Sequence, residues 1–145
     1  TCQQLSLHEF LRGEGSSTPT PSIRDTRVHT MNAKEGWSAG WGGMSATTIQ
    51  SHNDFAKHEL VREYWEQVEY HTQGFLQATE ENILLDVMHY SNTRGEAFAY
   101  PRWQTMVHQV NHATQHRSEI ALLLTQADHS PGDLYMTRYM AEKSK

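Results

Sequence analysis

The sequence contains a single cysteine, Cys2, in 145 residues, so no disulfide can form within one chain. A lone cysteine fits a reducing compartment. Apolar runs of the roughly 20 residues that cross a bilayer are absent, which argues against a membrane-spanning protein. The net charge is −5 and the basic residues form no cluster, so no nucleic-acid partner is expected.

The chain is long enough for one domain with a hydrophobic core, and we expect residues 1–145 to form a single domain. Apolar residues recur every three or four positions in three long stretches, which predicts three long helices. These helices are expected over residues 22–41, 53–79 and 101–126. Ser22 has the character of an N-cap, because Asp25 follows three residues later at the positive end of the helix.

Between the second and third helices lie two short apolar runs around SNTRGE. Residues 92–96 suit a turn, and Gly95 can adopt a positive φ, so a β-hairpin is predicted there. A helical turn is the alternative for the first of the two runs. Pro101 is expected in the first turn of the third helix. The expected buried positions of that helix are Trp103, Met106, Val107, Val110, Ala113, Ile120, Ala121 and Leu124. Other aromatic residues, Trp37, Trp41 and Tyr100, are expected in the core like Trp103, with a pocket wall as the alternative.

Three long helices and one hairpin predict an all-α helical bundle. A four-helix bundle needs one more helix, and the N-terminal stretch TCQQLSLHEFLR offers only about three turns. We therefore expect the first helix to be truncated or largely missing, or its place to be filled by another subunit.

Three histidines stand four residues apart on the third predicted helix: His108, His112 and His116. Two imidazoles at this spacing share one helix face and can hold one metal ion. His108 and His116 lie about 12 Å apart along the axis, so they cannot both reach one ion through bonds of about 2.0–2.1 Å. The ligand pair is therefore His108 with His112 or His112 with His116. An exposed polar face of hydrogen-bonded histidines is the alternative to a metal site.

A third ligand would come from another helix. His29 is the best candidate, because it lies beside the apolar positions of the first predicted helix, three after Thr26 and four before Ala33. The remaining histidines are weaker candidates at polar positions or near loops: His8, His52, His58, His71, His89 and His129.

Two stretches of the chain resemble the DinB/YfiT-like family of metal-dependent enzymes. PSIRDTRVHTMNAKEGW is similar to a family helix that reads S-I-R-D-T-L-V-H-I, followed by an acidic and an aromatic residue. YSNTRGEAFAYPRWQTMVHQVNHATQHRSEIALLL is similar to a family stretch with T-R-G-E-x-F, then W, then H-x-x-N-H-x-x-x-H-R-G-Q. The motifs stand in the family's order, and the similarity covers nearly the whole chain from about Leu5.

The resemblance implies a DinB/YfiT-like four-helix bundle with a small β-hairpin insertion. It also implies a divalent metal held by His29, His112 and His116, with His108 outside the set of ligands. Nickel and zinc are the ions expected, since three neutral nitrogens suit either. Three protein ligands leave room for water or substrate, which is typical of a catalytic metal.

One motif departs from the family pattern, because H-R-G-Q is HRSE in this chain. Glu119 is thus a carboxylate where the family has an amide. We expect a structural role for Glu119, and orientation of a ligand histidine or action as a base are the alternatives. His108 is the other candidate for proton transfer or for support of the ligands.

The resemblance implies a cytoplasmic enzyme that acts on a small-molecule substrate. We expect a thiol-S-transferase, in which the thiolate of a low-molecular-weight thiol attacks an electrophile. A metal-dependent hydrolase is the alternative, and a non-catalytic metal-binding or stress-response protein is the third possibility. A homodimer is expected, because a bundle without its full first helix would expose apolar faces.

Overall fold

The computed structural model describes residues 22–44, 49–91 and 94–144. Within them lie four helices, α1 (Ile23–Trp41), α2 (His58–Ala78), α3 (Arg102–Gln126) and α4 (Met136–Lys143). An antiparallel hairpin of β1 (Val87–Ser91) and β2 (Ala97–Pro101) precedes α3. The mostly helical fold with one small hairpin is as predicted. The stretch TCQQLSLHEFLR lies outside the described residues, so the expectation of a shortened first helix stays a prediction.

Helix α1 begins where the sequence predicted. The Ser22 hydroxyl accepts a hydrogen bond from the backbone N–H of Asp25 at 3.1 Å, which satisfies one of the free amides of the first turn. At the other end Gly43 adopts a φ of 75°, a conformation that favours glycine and turns the chain away from the helix.

Helix α2 begins later than predicted. A short 3-10 turn occupies His52–Asp54, and the α-helix starts only at His58. The Asp54 carboxylate accepts a hydrogen bond from the Ser51 N–H at 2.9 Å, which closes the short turn on itself. Phe55 is buried directly after it, so packing holds the chain in a non-helical path before α2. The prediction of one helix from residue 53 was therefore wrong at its start.

The hydrophobic core lies between α1 and α2. Its buried members come from both helices and from the segment before α2: Val28, Met31, Phe55, Val61, Tyr64 and Val68. The two helices run parallel, because contacts move along both in the same direction. Lys34 pairs with Glu69, and the Ser38 and Thr72 hydroxyls lie 2.9 Å apart further on.

Helix α3 packs against the other side of α1 and runs antiparallel to it. The Trp41 indole N–H, at the end of α1, donates to the Thr105 hydroxyl at 2.9 Å near the start of α3. The residues of α3 that are buried are Thr105, Gln109 and Ala113. Three positions predicted to be buried are instead exposed: Trp103, Val107 and Val110. The spacing identified a shared face, but α1 contacts a neighbouring face of α3, so that prediction was wrong.

The hairpin places its Met88 side chain on α1. Side chains alternate along a strand, so Met88 and Tyr90 share a face with their cross-strand partners Tyr100 and Phe98. Met88 is buried, and its sulfur lies 3.7 Å from the position that a Cβ on Gly40 would occupy. Pro101, predicted within the first turn of the third helix, is the last residue of β2 and the N-cap of α3.

Helix α4 is a short terminal helix with no buried residue. None of the helices in the described ranges has the length and apolarity required to cross a bilayer.

Candidate metal centre

Helix α1 contributes His29 to its boundary with α3. The neighbours Val28 and Thr30 are buried, which fixes the rotation of α1 in the fold. The His29 side chain follows from that rotation and lies against α3, with its ring centroid 5.1 Å from His112 and 4.8 Å from His116. Burial of an apolar face on α2 therefore positions a histidine towards α3.

Helix α3 contributes His112 and His116, which are four residues and hence about one turn apart. Their ring centroids are 4.5 Å apart, and their Nε2 atoms are separated by 3.1 Å. Ala113, which follows His112 in the chain, is buried. The two imidazoles thus face the same point on the α1–α3 boundary.

The three histidines converge with their ring nitrogens facing one another. His29 Nε2 lies 3.2 Å from His112 Nε2, and one nitrogen from each residue lies within 4.8 Å of the others. Ligands bound to one ion at about 2.0–2.1 Å would stand roughly 2.8–3.4 Å apart at adjacent positions of octahedral or tetrahedral geometry. The two nitrogen separations that bracket His112 fall in this range, so the donor set fits a divalent metal.

Glu119 fixes the orientation of one of these rings. Its Oε2 lies 2.6 Å from His116 Nδ1, on the side of the ring that faces away from the cluster. With the proton of His116 held on Nδ1 by the carboxylate, the lone pair on Nε2 is directed towards His29 and His112. Gln115 donates a hydrogen bond to the other Glu119 oxygen at 3.0 Å and holds the carboxylate in place.

The model of the DinB family matches residues 1–145, the whole chain. The chain belongs to the DinB family. None of the curated proteins compared with it matches. The family resemblance drawn from the two sequence motifs is thus confirmed, as is the DinB-type helical fold.

Electrostatics favour neutral rings in this DinB site. Burial, followed by the charges of His116, His29 and His108, lowers the pKa of His112 to about 4. Burial and His116 also lower the pKa of His29. Burial alone would raise the pKa of Glu119, but hydrogen bonds from Gln115 and His116 outweigh it and lower that pKa. At neutral pH the His29 and His112 rings are therefore neutral beside the Glu119 carboxylate, which is the protonation state that a metal ligand requires.

The two ring nitrogens of His112 are not fully satisfied by hydrogen bonds. Its Nδ1 is buried and has no hydrogen-bond partner within the described residues. His112 Nε2 also lies between the nitrogens of His29 and His116, and a single proton or lone pair on it can serve only one of those contacts. A cation among the three nitrogens would meet every lone pair at once, which is a second reason that the cluster fits a metal.

His108 lies outside the cluster. Its ring centroid is 6.2 Å from His112, and it makes a closer edge contact with Trp37, at 5.3 Å. The structure therefore pairs His112 with His116, the choice that spacing alone left open. The other histidines in the described residues are exposed and away from the cluster: His52, His58, His71, His89 and His129. His8 lies outside the described residues.

Aromatic rings continue from His108 to the hairpin, and the sequence analysis did not identify this feature. Four side chains, which we call the aromatic row, form it: Trp37, Tyr90, Phe98 and Tyr100. The signal that could have revealed it is the strand alternation that puts Tyr90, Phe98 and Tyr100 on one face of the hairpin. Of the tryptophans and tyrosine expected in the core, only Trp41 is buried, whereas Tyr100 and Trp103 are exposed.

A groove of about 1060 Å³ lies elsewhere, on the side of α1 that faces α2. Ser38, Val68 and Phe75 contribute to its wall, and none of the three clustered histidines does. The candidate metal centre is thus separate from this groove and lies on the α1–α3 boundary, next to the aromatic row.

Proposed function

We propose that this DinB protein is a divalent-metal-dependent enzyme whose ion is held by His29, His112 and His116. The observation that carries the proposal is the convergence of three ring nitrogens from two helices within 4.8 Å. The support of His116 by Glu119 at 2.6 Å adds to it, because ligand histidines are commonly held by such a carboxylate. Three nitrogen donors suit nickel or zinc.

The reaction that we propose is thiol transfer with a low-molecular-weight thiol as co-substrate. A divalent ion bound there would supply a Lewis acid that lowers the pKa of a thiol or a water. In the transfer, the thiol sulfur forms a bond to an electrophilic carbon, and the bond from that carbon to its leaving group breaks. The leaving group takes the electron pair, and the thiol proton passes to a base or to solvent.

The surrounding residues have separate parts in this proposal. Glu119 contacts the His116 ring on the side away from the cluster, so we assign it the orientation of that ring rather than proton transfer. His108 is exposed, lies one turn before His112 and is the nearest histidine outside the cluster, so it is the candidate that accepts the thiol proton.

The same donor set would also serve a hydrolase, in which water replaces the thiol as nucleophile. The preference for a thiol comes from the family resemblance and not from the geometry of the cluster. A non-catalytic metal-binding protein is the other functional hypothesis. Within the described ranges, no fourth His, Cys, Asp or Glu joins the three histidines, which supports a site with room for a reactant.

A single assay separates these readings. Protein loaded with Ni²⁺ or Zn²⁺ is mixed with the electrophile chlorodinitrobenzene, with and without cysteine or glutathione, and product formation is followed by absorbance. We expect turnover only with metal and thiol together. His112→Ala should abolish it, and His71→Ala, a matched histidine that is exposed on α2, should leave it unchanged.

The other outcomes decide against the proposal in different ways. Turnover of an activated ester without any thiol would favour a hydrolase. Binding of the metal without turnover of either substrate would favour a non-catalytic protein. Equal loss of activity in His112→Ala and His71→Ala would contradict the assignment of the site.

We further propose that two copies of the chain associate. Helix α4 has eight residues, too few to be stable alone in water, and none of them is buried. Its exposed apolar side chains include Tyr139 and Met140. The same chain carries an exposed apolar stripe on α3, formed by Trp103, Val107 and Val110. Since both faces belong to one chain, a two-fold dimer would cover each with its counterpart from the other copy.

Light scattering tests the association. We expect a dimer for the unaltered protein and a monomer for Val110→Glu, which places a charge in the stripe. Gln104→Glu adds the same charge at an exposed polar position of α3 and should remain dimeric. A monodisperse monomer for the unaltered protein would contradict the proposal.

A further inference from the structure

The aromatic row is joined to the metal centre by an unbroken series of ring contacts. His108 lies 6.2 Å from His112 and 5.3 Å from Trp37, measured between ring centroids. Trp37 in turn lies 5.0 Å from Tyr90 on the hairpin. One end of the row is thus within two ring contacts of a proposed metal ligand.

The rings of the hairpin are stacked rather than randomly packed. Tyr90 and Phe98 are cross-strand partners, with centroids 5.4 Å apart and planes inclined by 22°. Phe98 and Tyr100 follow at 6.2 Å with an inclination of 18°. Their faces are therefore nearly parallel, which is the arrangement that receives another flat ring.

Packing of the hairpin on α1 explains only part of this face. Met88 is buried and Tyr90 contacts Trp37, so these two side chains anchor the hairpin. Tyr100 is on the same face but stays 42% exposed. Phe98 is only half-buried, and its ring contacts are with the other rings of the hairpin. Met88 and Tyr90 therefore hold the hairpin on α1, while the rings of Phe98 and Tyr100 stay at least partly accessible.

The chemistry of the row favours an uncharged ligand. Its ring contacts are with other aromatic side chains and with His108. Burial and the neighbouring Tyr100 raise the pKa of Tyr90, so its phenol stays neutral at physiological pH. Aromatic faces attract flat, apolar or conjugated rings by stacking.

We propose that the aromatic row binds the electrophilic substrate, and that this substrate is a flat, uncharged aromatic or conjugated molecule. This inference rests on the proposed function, because it assigns the row to the substrate of that same site. The molecule stacks on Tyr100 and Phe98, with its reactive carbon towards His108 and the triad. The thiol sulfur bonds to that carbon, the leaving group departs with its electron pair, and the thiol proton passes to His108.

The first test measures binding without turnover. Dinitrobenzene is flat and lacks a leaving group, and its affinity can be measured by equilibrium dialysis against metal-loaded and metal-free protein. We expect Tyr100→Leu to weaken binding by about 3- to 10-fold, which is the range expected for one aromatic pair. Tyr100→Phe keeps the ring and should retain the affinity of the unaltered protein.

Tyr70→Leu is the control at an exposed ring away from the row. Tyr70 on α2 is 77% exposed, and its ring contact in the described residues is with His71. Its replacement should leave dinitrobenzene binding unchanged. Equal weakening by Tyr100→Leu and Tyr70→Leu would indicate adsorption to any exposed ring and would overturn the inference.

The second test uses chlorodinitrobenzene and a thiol. Tyr100→Leu should raise KM by the same factor as it weakens dinitrobenzene binding, with kcat and metal content retained. Circular dichroism verifies that the variant is folded, and Phe98→Leu provides an independent change in the row. Unchanged binding and KM in both variants would overturn the inference while leaving the proposed function intact.

Failure of the proposed function would give a different combination of binding, metal content and product formation. If dinitrobenzene binds and Tyr100→Leu weakens this binding, but no metal is retained and no thiol product forms, the row is a ligand site and the enzyme proposal is wrong. If metal-dependent transfer occurs but the row variants behave like Tyr70→Leu, the enzyme proposal stands and the substrate assignment is wrong.

Discussion

Helix α1 has two packed sides with different chemistry. Towards α2 it contributes Val28 and Met31 to an apolar core, where exposure falls to 2% and 0%. Towards α3 it contributes His29 to a cluster of imidazoles and Trp41 to a hydrogen bond with Thr105. Apolar side chains stabilise the first boundary by leaving water. The second boundary gains less from burial and instead brings polar donors together.

The two sides of α1 therefore have different roles, because one stabilises the fold and the other contributes a ligand to the histidine cluster. The α1–α2 side fixes the rotation of α1, and that rotation places His29 opposite His112 and His116. Changes on the α2 side should therefore alter the free energy of unfolding, whereas changes on the α3 side should alter metal binding. Variants of His112, Met31 and Glu119 test this separation.

The largest expected effect is the loss of metal in His112→Ala. His112 lies between the other two ligands, so its removal leaves only His29 and His116 to hold the ion. Protein purified without chelator should carry about one ion per chain, and the variant should carry none above background by elemental analysis. His71→Ala should retain the ion. Equal metal content in His112→Ala and the unaltered protein would remove the basis of the site.

The next effect concerns the core. Met31→Ala removes a side chain that is 0% exposed and should lower the free energy of unfolding by about 2–5 kcal/mol. Met136→Ala, at a position 72% exposed, should change it by less than about 0.5 kcal/mol. Urea denaturation measures both. Below its unfolding transition, Met31→Ala should still bind metal normally, and a parallel loss of metal affinity would show that the two sides of α1 are not separable.

A smaller effect is expected at Glu119, which acts through His116. Glu119→Ala removes the acceptor that holds His116 Nδ1 and should weaken metal binding by about 10- to 100-fold. Glu119→Gln keeps an oxygen acceptor without the charge and should recover most of that affinity. Ser118→Ala serves as the control on the same turn. Titration with a competing chelator gives the affinities, and no difference between Glu119→Ala and Ser118→Ala would contradict the orienting role.

The smallest effect is a pH dependence of the metal-free protein. In the unfolded chain His112 takes up a proton near its ordinary pKa of 6.5, but in the folded protein burial lowers that pKa to about 4. Between these values the unfolded state binds more protons, so the free energy of unfolding falls as the pH falls through this window. Melting temperatures of chelator-treated protein should therefore decline from pH 7 towards pH 4. The decline should be shallower in His112→Leu, and an equal decline in both proteins would refute the assignment.

Local sequence signals were sufficient for most element boundaries. Ser22 with Asp25 identified the start of α1, because a capping hydroxyl needs only its own first turn. Gly95 at a φ of 79° identified the hairpin turn for the same local reason. The start of α2 was wrong, because the burial of Phe55 before it is a tertiary contact.

The exposed positions of α3 show where local information ends. Trp103, Val107 and Val110 recur at helical spacing, which predicts a buried face, but all three are exposed. Spacing tells which residues lie together but not which face meets α1. In the structure the smaller and more polar face, with Thr105 and Ala113, makes that contact.

What the sequence determined by itself is the set of donors: the four-residue spacing of His108, His112 and His116 on one helix, and His29 on another. Helix geometry allows only two of the three α3 histidines to bind one ion, but it does not distinguish His108 with His112 from His112 with His116. Only the tertiary structure decided between them, because the antiparallel packing of α3 on α1 sets His29 beside His112 and His116 and leaves His108 against Trp37. The physical reason is that a coordination site depends on distances between helices, which neither helix encodes alone.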